Sequence, residues 1–354
     1  MKLNLSNTYN VELLKSFKTQ ERFNVLRVST LFSQTGLKII VGGEDGIIRI
    51  YELSSVDNKP KIILETKSGP IQSMVVHDVT KFYDQDLIVA DSLGMLTIFC
   101  NQQILSRQKL SNGAISHLQI RTDQTGDLAI VTSDEFGIVC ASKVSEELWK
   151  INLNNKCTKE LKGEIIVKSL LSVDFVDQHG HKSCYVLISD NMKQIFVLRD
   201  GSIVNLLTAP AVVVAMCKGS FVNSNILGYP AQPNGDIARD TDPSENTQVL
   251  LGTENGAIYF LHNFTISVDE YARVSQPILD LQPLRLPDCS SDLVLCSGYY
   301  NAITVFLEGR KICQYTTPDW VSTMDIADTD EDGTDEIILG CKDNTIQIIK
   351  LSIK

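Results

Sequence analysis

The chain has 354 residues, a formal net charge of −11 at pH 7, and 43% hydrophobic against 7% aromatic residues. No basic run with interleaved aromatics occurs, so the composition argues against a nucleic-acid partner or an anionic membrane surface, either of which needs a basic face. Apolar runs of four to six residues are too short to span a bilayer, and Met1-Lys2-Leu3-Asn4-Leu5-Ser6 lacks the apolar core of a secretory signal, so a soluble cytoplasmic protein without direct membrane insertion is expected.

In chain order, the first candidate element is Asn10-Val11-Glu12-Leu13-Leu14-Lys15-Ser16-Phe17, which resembles the later stretch Asn101-Gln102-Gln103-Ile104-Leu105-Ser106-Arg107-Gln108. It reads as an outer strand. Ile39-Ile40-Val41-Gly42 then opens a phrase: an apolar run closed by a small residue, the turn Glu44-Asp45-Gly46, and a second run, Ile47-Ile48-Arg49-Ile50-Tyr51. The phrase returns at Leu87-Ile88-Val89-Ala90, with Gly94 in its turn, and at Ala129-Ile130-Val131-Thr132. Further copies are Val186-Leu187-Ile188-Ser189, Val249-Leu250-Leu251-Gly252 with Asn255-Gly256, Leu293-Val294-Leu295-Cys296 and Ile337-Ile338-Leu339-Gly340. The fourth residues of the seven copies lie 42 to 63 residues apart. Periods of roughly 40 to 50 residues are the spacing of four-stranded propeller blades.

The chemistry of each copy suits a blade. A four-residue apolar run flanked by turn formers is what a strand buried on both faces requires, and the run after the turn suits a half-buried strand. Gly46, Gly94 and Asn255-Gly256 stand where a tight hairpin needs positive φ. Stretches ahead of the apolar runs, such as Pro70-Ile71-Gln72-Ser73-Met74 and Trp320-Val321-Ser322-Thr323-Met324, predict an inner strand before each central one. The last copy adds Thr345-Ile346-Gln347-Ile348-Ile349 and no outer strand. Residues 10–17 are predicted to supply it, closing the ring and covering an edge that would otherwise invite aggregation. The expected fold is all-β, a single seven-bladed β-propeller over 1–354, with 1–22 as closing strand and linker.

One segment breaks the rhythm. Residues 223–246 are rich in Pro, Asn, Asp and Gly and read as a long loop insertion. Ile226, Leu227 and Tyr229 are its candidate partner-binding anchors. Nine cysteines, without any Cys-x-x-Cys, read as reduced structural thiols, and Asn263-Phe264-Thr265 then carries no glycan. His179 and His181 have no third ligand at suitable spacing and read as a polar hairpin tip.

The sharpest chemical motif is Asp328-Thr329-Asp330-Glu331-Asp332-Gly333-Thr334-Asp335-Glu336. Asp328, Asp330, Asp332 and Glu336 at positions 1, 3, 5 and 9, with Gly at 6 and the Thr334 carbonyl at 7, can wrap oxygens around a hard cation. Position 12 is Leu339 and a strand follows, which excludes an EF-hand. The loop and the Ile337-Ile338-Leu339-Gly340 run resemble the FG-GAP repeat of integrin-alpha-type propellers. That resemblance implies a structural calcium ion at Asp328, Asp330, Asp332, Thr334 and Glu336. Asp86, Asp127 and Asp292 hold the place of Glu336 in other copies without the upstream acids, so their loops are expected to be held by hydrogen bonds.

The whole-chain pattern is similar to the propellers of Bardet-Biedl (BBSome) and KICSTOR subunits, though no C-terminal extension like theirs is expected here. No Trp-Asp dipeptide of a WD40 repeat occurs. Neither Gly-x-Ser-x-Gly nor a phosphate-binding Gly-Lys-Ser/Thr is present, and no catalytic residues are nominated. The resemblance implies a non-catalytic scaffold that binds other protein subunits of an intracellular assembly in trafficking, cilia or signalling. A carbohydrate-binding or hydrolytic propeller and a calcium-responsive binding module are the alternatives.

Overall fold

The computed structural model describes residues 9–55, 57–82, 84–122, 126–156, 163–176, 182–222, 247–287 and 289–353. These form seven antiparallel sheets arranged as a seven-bladed propeller. Each blade runs outward from an inner strand. The inner strands are Phe23–Leu31, Ile71–His77, Ile115–Thr122, Val167–Val176, Val213–Gly219, Ile278–Leu284 and Val321–Ala327, in blades 1 to 7. Each contacts the inner strand of the next blade, and Val321–Ala327 contacts Phe23–Leu31, so the ring is closed. Helix is confined to the turn Leu153–Lys156 among the described residues, and none is long and apolar enough to cross a membrane.

Closure occurs where the sequence places it. Tyr9–Lys18 pairs antiparallel with Thr345–Ile353 as the outer strand of blade 7, with Phe17 opposite Ile346 and Leu13 opposite Ile349. Phe17 and Tyr51 meet at 5.7 Å, which ties this strand to blade 1 as well. The segment 223–246, with Ile226, Leu227 and Tyr229, lies outside the described residues, as do His179 and His181. Eight cysteines are described, and all are free thiols.

The short apolar runs now have a packing reason. In blade 7 the second strand, Glu336–Cys341, turns Ile337 and Leu339 toward blade 6 and Ile338 toward blade 1. A strand covered on both faces has no solvent side on which polar residues could alternate. The small residue that ends the run marks the closest approach between blades. A Cβ on Gly340 would sit 2.7 Å from Thr323 Cγ2 and 2.8 Å from the Phe23 ring. One on Gly252 would sit 2.8 Å from Leu281 in blade 6. Small residues there let the next inner strand nest against the sheet, and seven apolar clusters fill the seven junctions.

Gly340→Val is therefore expected to overpack the blade 7 to blade 1 junction and cost about 1–3 kcal/mol. A urea midpoint equal to that of the native protein would show that the close approach is not limiting.

Candidate functional site

The acidic loop connects the inner and second strands of blade 7. The inner strand pairs with the second strand with Ala327 opposite Glu336, and the loop spans the gap between them. Asp328, Asp330 and Asp332 converge, each offering an oxygen within 4.8 Å of the others. Their outer geometry is already engaged. Asp328 accepts hydrogen bonds from the amides of Asp332 at 3.1 Å and Gly333 at 2.9 Å. Asp332 Oδ1 accepts from the Thr334 amide at 2.9 Å and from its hydroxyl at 2.5 Å. Glu331 and Gly333 take positive φ, which gives the loop its sharp turn.

Glu336 does different work from the three aspartates. It is fully buried, and its Oε2 accepts the amide and the hydroxyl of Thr329, both at 2.7 Å. Asp86 makes the equivalent bonds in blade 2, accepting from the amides of Val79 at 3.1 Å and Thr80 at 2.9 Å. In blade 5 Gln248 takes the amides of Phe221 at 2.6 Å and Val222 at 2.9 Å. Asp292 instead reaches into the neighbouring blade, accepting the Ser220 amide at 2.7 Å, and Asp127 pairs with Lys81 and Lys143 on the surface. The side chain that opens the second strand thus caps an otherwise unpaired backbone amide of the preceding loop in blades 2, 5 and 7.

A residue absent from the sequence reading reaches into the cluster from the neighbouring strand and engages two of its three aspartates. The Lys350 Nζ lies 2.8 Å from Asp330 Oδ2, 2.6 Å from Asp332 Oδ2 and 2.9 Å from Glu336 Oε1, the last an ion-pair contact without a directed hydrogen bond. Burial works to lower the Lys350 pKa, but the contacts with these carboxylates outweigh it and hold the ammonium above its ordinary value. The same lysine, then the Thr334 hydroxyl and amide, holds Asp332 well below the usual carboxylate range. A calcium ion takes six to eight oxygens at about 2.3–2.6 Å. The donor set as arranged does not fit one, because the ammonium already engages Asp330 and Asp332, two of the three converging aspartates. A signal for Lys350 was present in the register. Ile337 faces Ile349 across the hairpin, and one further step sets Lys350 opposite Glu336. Beside the loop, a cleft of 380 Å³ between blades 7 and 1 is lined by Lys15, Lys38 and Glu52 as well as Asp328 and Asp330.

The second polar site is the axial channel, a cavity of 270 Å³ ringed by the inner strands. Inner strands have one edge without a sheet partner, and side chains of neighbouring blades satisfy it. Asn24 donates to the Ile71 carbonyl at 2.9 Å and Arg27 to that of Met74 at 3.0 Å. Asp325 accepts the Val28 amide at 2.5 Å, and Gln119 clamps the Leu170 carbonyl at 2.9 Å and the Ser172 amide at 2.6 Å. His117 and Asp280 also line the channel, partly exposed to it but surrounded by the ring. Burial lowers the His117 pKa to about 4. Burial pushes Asp280 up to about 6, against the opposing pulls of Gln282 and Arg27.

A third feature is a face. The hairpin tips between second and third strands and the links between blades lie on the side opposite the acidic loop. This side exposes Leu93, Phe136, Ile166, Tyr299 and Trp320. Tyr299 and Trp320, 47% and 40% exposed, stack edge to face at 5.1 Å across the junction of blades 6 and 7. No periodicity announces this set, since each member is a single residue in a loop.

No protein-family model and no curated protein sequence matches the chain. Among solved structures it is similar to BBS1N, crystallised in complex with ARL6DN and soaked with mercury, with a TM-score of 0.72 at 10% identity over 98% of each chain. A lead-soaked form of that complex gives 0.71 at 10% identity over 96% of each. The WD40 β-propeller domain of Doa1 gives 0.65 at 11% identity over 96% of this chain and 97% of that one. The fold is thus a propeller of the kind seen in BBS1N.

The channel groups set opposite pH dependences. A carboxyl with a raised folded pKa costs stability in full above that pKa, and the cost shrinks as pH falls from it toward the unfolded value. A histidine with a lowered folded pKa costs stability as pH falls below its unfolded value. Asp280→Asn is therefore expected to gain about 1 kcal/mol at neutral pH after screening by channel water, an advantage that fades below about pH 6. His117→Asn should remove an acid-side loss developing between roughly pH 6.5 and 4. Melting temperatures across pH check both, and parallel curves for native and variant proteins would refute the assignment.

Proposed function

We propose that this chain is a non-catalytic propeller platform that binds a protein partner through the face carrying Tyr299 and Trp320. The observation that carries this reading is the exposed aromatic pair with Leu93, Phe136 and Ile166 on the same side of the ring. Rigid aromatics that stay exposed contribute large contact area at little entropic cost, and such residues dominate binding energy at protein interfaces. The BBS1N structure supports it, because a propeller of the same fold is seen there with a protein, ARL6DN, bound. We read the setting as an intracellular assembly of the trafficking, ciliary or signalling kind implied by the resemblance to BBSome and KICSTOR propellers. The FG-GAP kinship rests on residues 328–336. Function on a repeat ring lives on its exposed loops while the sheets hold them rigid.

Affinity purification of the full chain tests the reading. Trp320→Glu combined with Tyr299→Ser is expected to cut recovery of a co-purifying protein about tenfold or more at unchanged melting temperature, whereas Ile63→Ser on the outer rim should leave it intact. Partner recovery undiminished by the aromatic double variant would remove this face from consideration.

A further inference from the structure

Lys350 and Glu336 hold a cross-strand slot that the fold repeats, and the repeat shows what the slot is for. In blade 1 the residue ahead of the apolar run is Lys38 rather than an acid, and it pairs directly with Glu52 across the hairpin. Their charged atoms lie 3.9 Å apart. Blade 1 therefore carries the same ion pair as blade 7 with its polarity reversed. With lysine in the place of Glu336, no cation site can form there, and the ammonium donates to the Thr35 carbonyl at 3.0 Å while facing Glu52. Capping of the loop amide by Asp86 and Gln248 in blades 2 and 5 likewise needs no ion, which assigns Glu336 Oε2 to the backbone and leaves only Oε1 facing Lys350.

We propose that the Lys350 ammonium is the resident cation of the 328–336 loop. It does the structural work that a divalent ion would do, so the native protein takes up no calcium there. Three carboxylates converge on Nζ at 2.6–2.9 Å, and the strand Thr345–Ile353 delivers that atom from a position fixed by pairing to both neighbours. A calcium ion can enter only by expelling the ammonium, because both need Asp330 and Asp332. Removal of the charge leaves Asp328, Asp330 and Asp332 converging on an uncompensated point. A calcium site is then created.

Calcium titration of the full chain, followed by calorimetry and by melting temperature in chelator and in about 1 mM calcium, tests this. Native protein and Lys350→Arg should show no calcium heat and no shift. Lys350→Met, which keeps the apolar stem, should melt about 2–4 °C or more lower in chelator and recover in calcium. If Lys350→Met does not fold in chelator, refolding in calcium replaces the comparison, and recovery there supports the same conclusion. Calcium binding by the native protein would overturn the resident-cation assignment. A Lys350→Met protein that folds yet ignores calcium, or that calcium fails to rescue, would overturn it too, by showing that the lysine does not stand in an ion's place.

Discussion

The constraint on which the structure depends is that the second strand of every blade must be covered on both faces at once. One face belongs to the preceding blade and the other to the following one, as Ile337 and Leu339 against Ile338 show. Each sheet is therefore incomplete without two neighbours, and the only arrangement that satisfies all of them is a closed ring. Burial per strand is large, but it is realised only when spacing between sheets is uniform. That is why the residue at the end of each apolar run is small, and why a glycine such as Gly340 abuts Phe23 across the junction.

Polar groups follow the same logic at both ends of the inner strands. Toward the axis, edges without strand partners are satisfied by Asn24, Arg27, Gln119 and Asp325 reaching across blades, so the channel is a lattice of inter-blade hydrogen bonds. At the loop between inner and second strands, Asp86, Gln248 and Glu336 fold back on amides. At the hairpin tips Asp91, Asp134 and Asp190 do so again, each accepting two amides of its own turn. Acidic residues that look like a chemistry in the sequence are here mostly the local answer to unpaired backbone donors.

The architecture was legible because it is local and repeated. Four-residue runs, turn glycines and the resemblance of residues 10–17 to 101–108 reflect burial and backbone conformation within a few positions. The candidate site was legible only in part. Convergence of Asp328, Asp330 and Asp332 follows from their alternate spacing, but Lys350 is 14 residues beyond Glu336 and enters the site through strand register. Motif reading looks along the chain, whereas this charge arrives from across the sheet. The inter-blade bonds of Gln119 and Arg27 were out of reach for the same reason, since their partners lie about a blade away. The exposed Tyr299–Trp320 pair left no trace because two lone aromatics in separate loops have no period.

The pairing of Tyr9–Lys18 with Thr345–Ile353 has a kinetic meaning beyond its role as a lock. During synthesis the first of these strands emerges long before its partner exists, and it has no other sheet to join. Blades made of consecutive strands can assemble as they appear, but the seventh needs the two most distant segments described. Its loop-closure entropy must be met in one late step, after which blades 7 and 1 gain their second faces. Until then the nascent ring carries open strand edges at the gap, the species most exposed to misassociation. The junction of blades 7 and 1 is thus the seam that can close only after the last strand has been made.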